Sequence, residues 1–469
     1  MTNLIVEVAK YGMIFLFLFY TFECFAAFRK GKTSEKREWI FLRQRVSMHL
    51  IHFLGFMTLY LLTQEIKMII FYVVQFVFFE IVQNCYGLLY EKSSKLVTNN
   101  LCLLLGIGFL MLSRLDFDKA VKQFVIVAVS MVFSFIVPLC IRRAGFVRKL
   151  YWIFAVLGIG ALGVVAIMGT TSYGAKLSFS IAGISVQPSE FVKIAFIFFV
   201  AGMLFESTDF KRVCITTALA AVHVLILVCS RDLGGALIFF VTYLVMLYVA
   251  TKKIFYFTSG ILCGCIAAVV GYQLFSHVQV RVLAWSDPLS VIDDKGYQIC
   301  QSLFAIGTGS WLGMGLNQGM PYKIPVVEED FIFSAIAEEL GTVFALCLIM
   351  VCVSCFLMFM NIAMQMKDQF YKLVALGLGT LYGFQVILTI GGVTKFIPST
   401  GVTLPLVSYG GSSVLSSIVL FAIIQGLYIM RQDEWEGRKK GSNESGEENG
   451  RKKRKRNKSA FEEKIEDFS

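Results

Sequence analysis

Apolar residues in this chain gather into long runs parted by short polar breaks, and most runs lack the polar face that a helix of a water-soluble protein would carry. The runs fall at 8–28, 47–63, 66–90, 98–113, 121–141, 150–169, 189–207, 213–230, 234–250, 254–275, 331–358, 371–393 and 411–430. Most are long enough to cross a hydrocarbon core of about 30 Å as a helix, the one regular structure besides a closed barrel that satisfies its own backbone there. The pattern predicts about thirteen transmembrane helices and an all-α polytopic membrane protein. The run 98–113 is short, and Glu80 and Gln83 interrupt 66–90, so the count rests most on these two.

The breaks predict an orientation. "RKGKTSEKREWIFLRQR", "EKSSK", "RRAGFVRK", "FKR" and "TKK" are rich in Lys and Arg and alternate with poorly basic loops, as is the tail after residue 431. With thirteen spans all of these fall on one side, the cytoplasmic one by the positive-inside rule, with the N-terminus outside. Three large exterior loops remain: 170–188, 276–330 and 394–410. Loops held on a rigid scaffold are common places for chemistry.

Composition agrees: 57% of the 469 residues are hydrophobic and 16% charged, against about 25% charged in ordinary globular domains. The twelve cysteines are scattered through the apolar runs, and the four histidines are dispersed. They read as buried side chains rather than a metal site. The polar tail is expected to be disordered. Its "RKKRKRNK" cluster, beside a last membrane helix, reads as a contact with anionic lipid headgroups rather than with nucleic acid.

Ionisable groups in or beside spans are costly and need a partner or a wet cavity. "QPSEFVKIAF" opens a span with Pro188 and places Glu190 and Lys193 three apart, on one helix face. They can form a packing ion pair or line a polar cleft. "SRDLGGALIFF" puts Arg231 and Asp232 before Gly234 and Gly235, a pattern suited to close helix packing. "VVEEDFIFSAIAEELG" carries five carboxylates. At 1.5 Å per residue, Glu338 and Glu339 lie roughly 12–14 Å down the helix from Asp330, where they would brace neighbours. Glu328 and Glu329 belong to the solvated loop, where a metal ion could lie near them, and Asp330 sits at the mouth. "IPSTGVTLPLVSYGGSSVLSS", with Pro398, Pro405, Ser408, Gly410 and Gly411, cannot be a regular helix in lipid. It predicts a structured exterior loop with amides and hydroxyls suited to an anionic headgroup.

The segments "GISVQPSEFVKIAF", "RDLGGALIFF", "GYQICQSLFAIGTGSWLGMGLNQG", "EEDFIFSAIAEELG" and "STGVTLPLVSYGGSS", in this order, closely resemble the SEDS family of bacterial cell-wall proteins, which includes FtsW, RodA and SpoVE. The resemblance divides the chain into an N-terminal extension at 1–95 with about three transmembrane helices, a ten-helix core at 96–431 and a cytoplasmic tail at 432–469. It implies a peptidoglycan glycosyltransferase of the bacterial cytoplasmic membrane, polymerising lipid II and undecaprenyl-diphosphate-linked glycan on the outer face. It also implies a class B penicillin-binding protein as partner. The family's catalytic aspartate maps onto Asp330, and its glutamate and lysine onto Glu190 and Lys193. A departing diphosphate would need cationic help from Lys193, Arg231, Arg281 or a divalent ion (Mg2+ or Mn2+), for which no protein ligand set is identified. The chain departs from the family pattern at Leu177 and Ser178 (usually Arg-Trp), Thr389 (usually Asn) and Lys395 (usually Gly). A lipid-precursor flippase and a non-catalytic scaffold are the alternative functions; a flippase would want ionisable groups along a path through the membrane rather than at one mouth.

Overall fold

The structure is a computed structural model that describes residues 2–29, 33–143, 145–172, 175–181 and 184–436; the expected disorder of the tail concerns mainly residues outside these. Thirteen membrane-length apolar helices are present among the described residues. In chain order the helices are α1 (Thr2–Ala26), α2 (Ser34–Thr63), α3 (Ile66–Leu89) and α4 (Lys95–Leu115), then α5 (Phe117–Ser134) with α6 (Val137–Arg143) continuing its span, and α7 (Tyr151–Met168). Three short antiparallel strands follow in the order β1 (Thr170–Ser172), β2 (Ala175–Ile181) and β3 (Ile184–Val186). Then come α8 (Pro188–Glu206), α9 (Phe210–Cys229), α10 (Leu233–Thr251), α11 (Ile254–Leu274), α12 (Ser276–Ser286), α13 (Tyr297–Gly309), α14 (Ile332–Gln365), α15 (Gln369–Val393) and α16 (Gly411–Glu436).

Three expectations change. The short run at 98–113 is part of α4, the central helix: its membrane window is buried throughout, whereas that of α11 is not buried at all. Helix α2 starts at Ser34, well before the expected residue 47, because the Thr33 hydroxyl caps it by accepting from Lys36 N. The long loop 276–330 contains two helices, α12 and α13.

A polar knot within the bundle joins α1 and α2 to α4 and α14. The Tyr20 hydroxyl donates to Asn100 Oδ1 at 2.8 Å, Asn99 Nδ2 donates to Gln44 Oε1 at 3.2 Å, and Asn100 Nδ2 reaches Ser354 Oγ at 3.5 Å. Hydrophobic burial does not drive helices together in lipid; packing and interhelical hydrogen bonds do. The apolar stripes of α1 and α14 complete the contact, with Phe17 and Phe344 ring centroids 4.4 Å apart.

Helix α14, with 34 residues, would be about 50 Å long, well beyond a hydrocarbon core of about 30 Å. It is broken at Gly341, where φ is 90° and ψ 163°. The segment after α13 fills the break. Met314 N and Gly315 N donate to the carbonyls of Glu338 and Glu339, while Thr342 N and Val343 N donate to those of Ser310 and Trp311. Gly341 is required here, since a Cβ would lie 2.4 Å from Gly313 N. Glu338 and Glu339 brace the same segment, as their depth suggests: Glu338 accepts from Met320 N and Glu339 from Asn317 N, each at 3.0 Å, and Glu339 also pairs with Arg114.

Replacing Asn100 with Ala strands the Tyr20 and Ser354 hydroxyls. At roughly 0.6–1.7 kcal/mol per interhelical bond, Asn100→Ala is expected to lower the Tm of the purified protein in detergent, and Tyr20→Phe to lower it less. Equal Tm for Asn100→Ala and the parent chain would contradict the knot.

Candidate active site

Four elements meet at the end of the bundle that carries the strands, α12 and α13. The first is the start of α8. Pro188 fits the first helical turn, where its missing N–H is no loss, and the next turn carries Glu190 and Lys193 on one face. Lys193, almost fully buried, donates to Glu190 Oε1 at 2.9 Å and to Gln385 Oε1 of α15 at 3.1 Å. Glu190 accepts from Ser416 Oγ of α16 at 2.9 Å. The pair holds three helices, and beside it is a narrow crevice of about 10 Å³ bordered also by Gln385, Pro405 and Ser416.

The second element is the start of α10. Asp232 caps it, accepting from Gly235 N at 2.8 Å. Burial pushes the Asp232 carboxyl up, with Glu190 pushing the same way and Lys193 and Arg281 opposing. Gly234 lets the chain at 400–402 come close: a Cβ there would lie 2.4 Å from Val402 Cγ2. Arg231 has a left-handed φ of 64°, and its charge reaches His277.

The third element is the irregular loop 394–410, non-helical as its prolines and glycines require. Side chains of α5, α12 and α15 hold it by hydrogen bonds. Arg281 Nη1 and Trp285 Nε1 of α12 donate to the carbonyls of Ser399 and Lys395 at 2.9 and 3.1 Å. Thr389 Oγ1 donates to Val402 O, and Gln385 Nε2 to Thr403 O. Gln123 brackets the end of the loop, donating to Ser408 O and accepting from Gly410 N. The buried Ser408 hydroxyl accepts from Leu404 N at 2.9 Å, so it closes the loop, and Gly411 opens α16.

The fourth is the turn before α14. Asp330 is half-buried there. Burial pushes its carboxyl up to about 7; Glu329 and Glu328 add to the rise, while its own backbone N–H and the Arg281 guanidinium hold it down. Gly401, at φ 71°, passes beside it, with a Cβ position 3.9 Å from Asp330 Oδ2. Glu328 is tied down by an ion pair with Lys119, and its carbonyl accepts from Tyr409 N at 2.8 Å. The charges form a continuous row: Asp330 acts on Arg281, Arg281 on Asp232, and Asp232 on Glu190 and Lys193.

The structure therefore joins Asp330, Arg281, Glu190 and Lys193 into one electrostatic row, leaves Arg231 beside His277, and places Ser408 and Gly410 at the Gln123 end of the loop. Sequence reading underrated Asp232 and missed Gln385 and Ser416. A lone Gln in the apolar run "GFQVILTI" was the available signal, since a polar side chain in a span needs a partner. A larger open hollow of about 400 Å³ at the opposite end of the bundle is walled by Arg142, Arg143, Asp433 and Glu434 and holds none of these residues. No group of three or more His, Cys, Asp or Glu is gathered for a metal ion among the described residues.

The model of the FtsW/RodA/SpoVE family of cell cycle proteins matches residues 96–432. This chain belongs to that family. Peptidoglycan glycosyltransferase RodA of Mycobacterium tuberculosis (strain H37Rv) is 32% identical over 355 residues, which is 69% of this chain and 75% of RodA. Stage V sporulation protein E of Bacillus subtilis is 35% identical over 269 residues, 55% of this chain and 71% of that protein. Among solved structures, a chain of a peptidoglycan synthase complex shares the fold, with a TM-score of 0.62 and 22% identity over 72% of this chain and 98% of that one. The family match begins at α4, so α1–α3 precede it.

Two departures from the FtsW/RodA/SpoVE pattern acquire a structural account. Thr389 anchors the loop through Val402, and Lys395 sits at φ 60°, a conformation that glycine adopts at no steric cost. Left-handed backbone costs a non-glycine residue about 1–2 kcal/mol, so Lys395→Gly is expected to raise Tm; a fall in Tm would show that the Lys395 side chain outweighs the strain.

Proposed function

We propose that this protein is a peptidoglycan glycosyltransferase that polymerises lipid II into β-1,4 glycan on the outer face of the bacterial cytoplasmic membrane, with Asp330 as general base. The observation that carries the reading is the half-buried Asp330 carboxyl, poised near 7 beside Arg281 at the mouth of the charged row. Its kinship with relatives named peptidoglycan glycosyltransferase supports the reaction class. Basic loops on the opposite side support an orientation with the row outside and the C-terminus in the cytoplasm.

The reaction sets three demands on the site. The donor sugar is α-linked to a lipid diphosphate and the product is β-linked, so one inverting displacement suffices. The acceptor GlcNAc 4-hydroxyl attacks C1 of the donor MurNAc, and its proton needs a base at that moment. A carboxyl near 7 is strong enough to take it and still ionised in a large fraction at neutral pH. The C1–O bond breaks toward the diphosphate, whose charge is met by Arg281 and Lys193, with Arg231 nearby in the chain. Glu190 holds Lys193 in place. Ser408, Gly410 and Gly411 shape the loop beneath the headgroup.

A divalent ion such as Mg2+ or Mn2+ would add charge neutralisation on the diphosphate. In this reading such an ion arrives with the substrate. The partner class we propose, from the family resemblance, is a class B penicillin-binding protein. The residues proposed to act on the substrate gather at one end of the bundle, which favours this reading over a flippase.

The test is polymerisation of lipid II by the purified chain, alone and with a partner transpeptidase. Asp330→Asn, with a Tm matching the parent, is expected to lose about 10²- to 10⁴-fold in rate. Polymer formed at the parental rate would remove Asp330 as the base.

A further inference from the structure

Residues 296–322 contain no Asp, Glu, Lys, Arg or His, yet they lie in the segment that links α12 to α14. A connecting segment surrounded by water normally carries charge, and large exposed apolar groups clustered on one mark a contact surface. Here Phe304, Trp311, Leu312 and Met314 are 49, 67, 44 and 41% exposed. On α13 the opposite face packs against α14 through Ser302, whose hydroxyl is 2.7 Å from that of Ser334, and through Gly309, where a Cβ would lie 2.0 Å from Ala337 O, so Phe304 and then Trp311 follow the outward face.

The tip that carries Trp311, Leu312 and Met314 is rigid, because four backbone hydrogen bonds weave it into the break of α14. That break gives the height of the tip relative to the membrane. Helices α1 and α14 run side by side in the same direction, through Phe17 against Phe344 and Cys24 near Cys355. Charged pairs lie on the loop side of Gly341: Lys10 with Glu7, 3.0 Å apart on α1, and Arg114 with Glu339. On the other side of Gly341, α14 exposes only apolar side chains in its next turns, Leu346 and Met350 among them. The boundary between charged and apolar surface thus falls at Gly341, and the hydrogen-bonded tip sits on that boundary.

We propose that residues 304–314 form an interfacial foot that rests in the lipid leaflet on this side of the membrane, with Trp311 at the headgroup level and Leu312 and Met314 against the acyl chains. Tryptophan favours this layer because its ring is apolar and its N–H polar. The foot lies on the face that continues into the lipid-facing stripe of α14, so the occupant is the bilayer itself. Its rigid link to α14 fixes the height above the leaflet of the turn that carries Asp330. This inference does not depend on the proposed reaction.

The experiment places the full chain in nanodiscs and compares its tryptophan emission with that of Trp311→Phe; the difference isolates Trp311 among the five tryptophans. The expected result is loss of the Trp311 emission with lipids brominated high on the acyl chain, less loss with bromines near the chain ends, and little quenching by aqueous iodide. Quenching by iodide and not by brominated lipid would place the tip in water. Quenching by neither would place it against protein, such as a second copy of the chain. Either result overturns the proposal. Because the readout is spectroscopic, it stands or falls separately from polymerase activity.

Discussion

Hydrocarbon offers no hydrogen bonds, so a polar group that this chain carries into it is stabilised only where the protein itself supplies a partner. Three features of the structure follow from that single constraint. The break in α14 is tolerated because the carbonyls and amides it frees are taken up by the segment at 310–315. The α1–α2 pair is held to α4 and α14 by Asn99 and Asn100, whose amides are satisfied across four helices. The Glu190–Lys193 pair is stable at its depth because Gln385 and Ser416 complete it. Each of these arrangements also fixes a backbone.

The row lies where the constraint relaxes. Asp330, Arg281 and Asp232 come from three separate segments, the turn before α14, helix α12 and the cap of α10, beside a loop that has no regular structure of its own. That loop, 394–410, is anchored by α12, α15 and α5 through Arg281, Trp285, Gln385, Thr389 and Gln123. Arg281 has two roles, since the same guanidinium that ties down Ser399 also faces Asp330 and Asp232. In the proposed reaction, this couples the position of the loop to the strength of the Asp330 base.

Much of this was legible in the sequence, for physical reasons. Long apolar runs have few alternatives to membrane helices, so the thirteen spans were readable. The helices α12 and α13 were not readable, because their residues are too apolar for a solvated loop and too short in run for a span. The centrality of α4 was hidden by its length. The partnership of Arg281 with Asp330 and Asp232 could not be read either. It joins positions far apart in the chain, and only the fold of loop 394–410 brings them together. The left-handed Lys395 marks the reverse case, where a departure noted in the sequence became intelligible once its backbone was seen.

The central claim is that burial and Arg281 together set Asp330 near neutrality so that it can act as a base. The most direct test is the pH dependence of lipid II polymerisation by the purified chain, measured beside Arg281→Ala. A base acts in its unprotonated form, so kcat/KM is predicted to rise as pH passes through about 7. Removing the cation that favours ionised Asp330 should move that rise to higher pH. A rise centred in the ordinary aspartate range, or one that does not move in Arg281→Ala, would contradict the account.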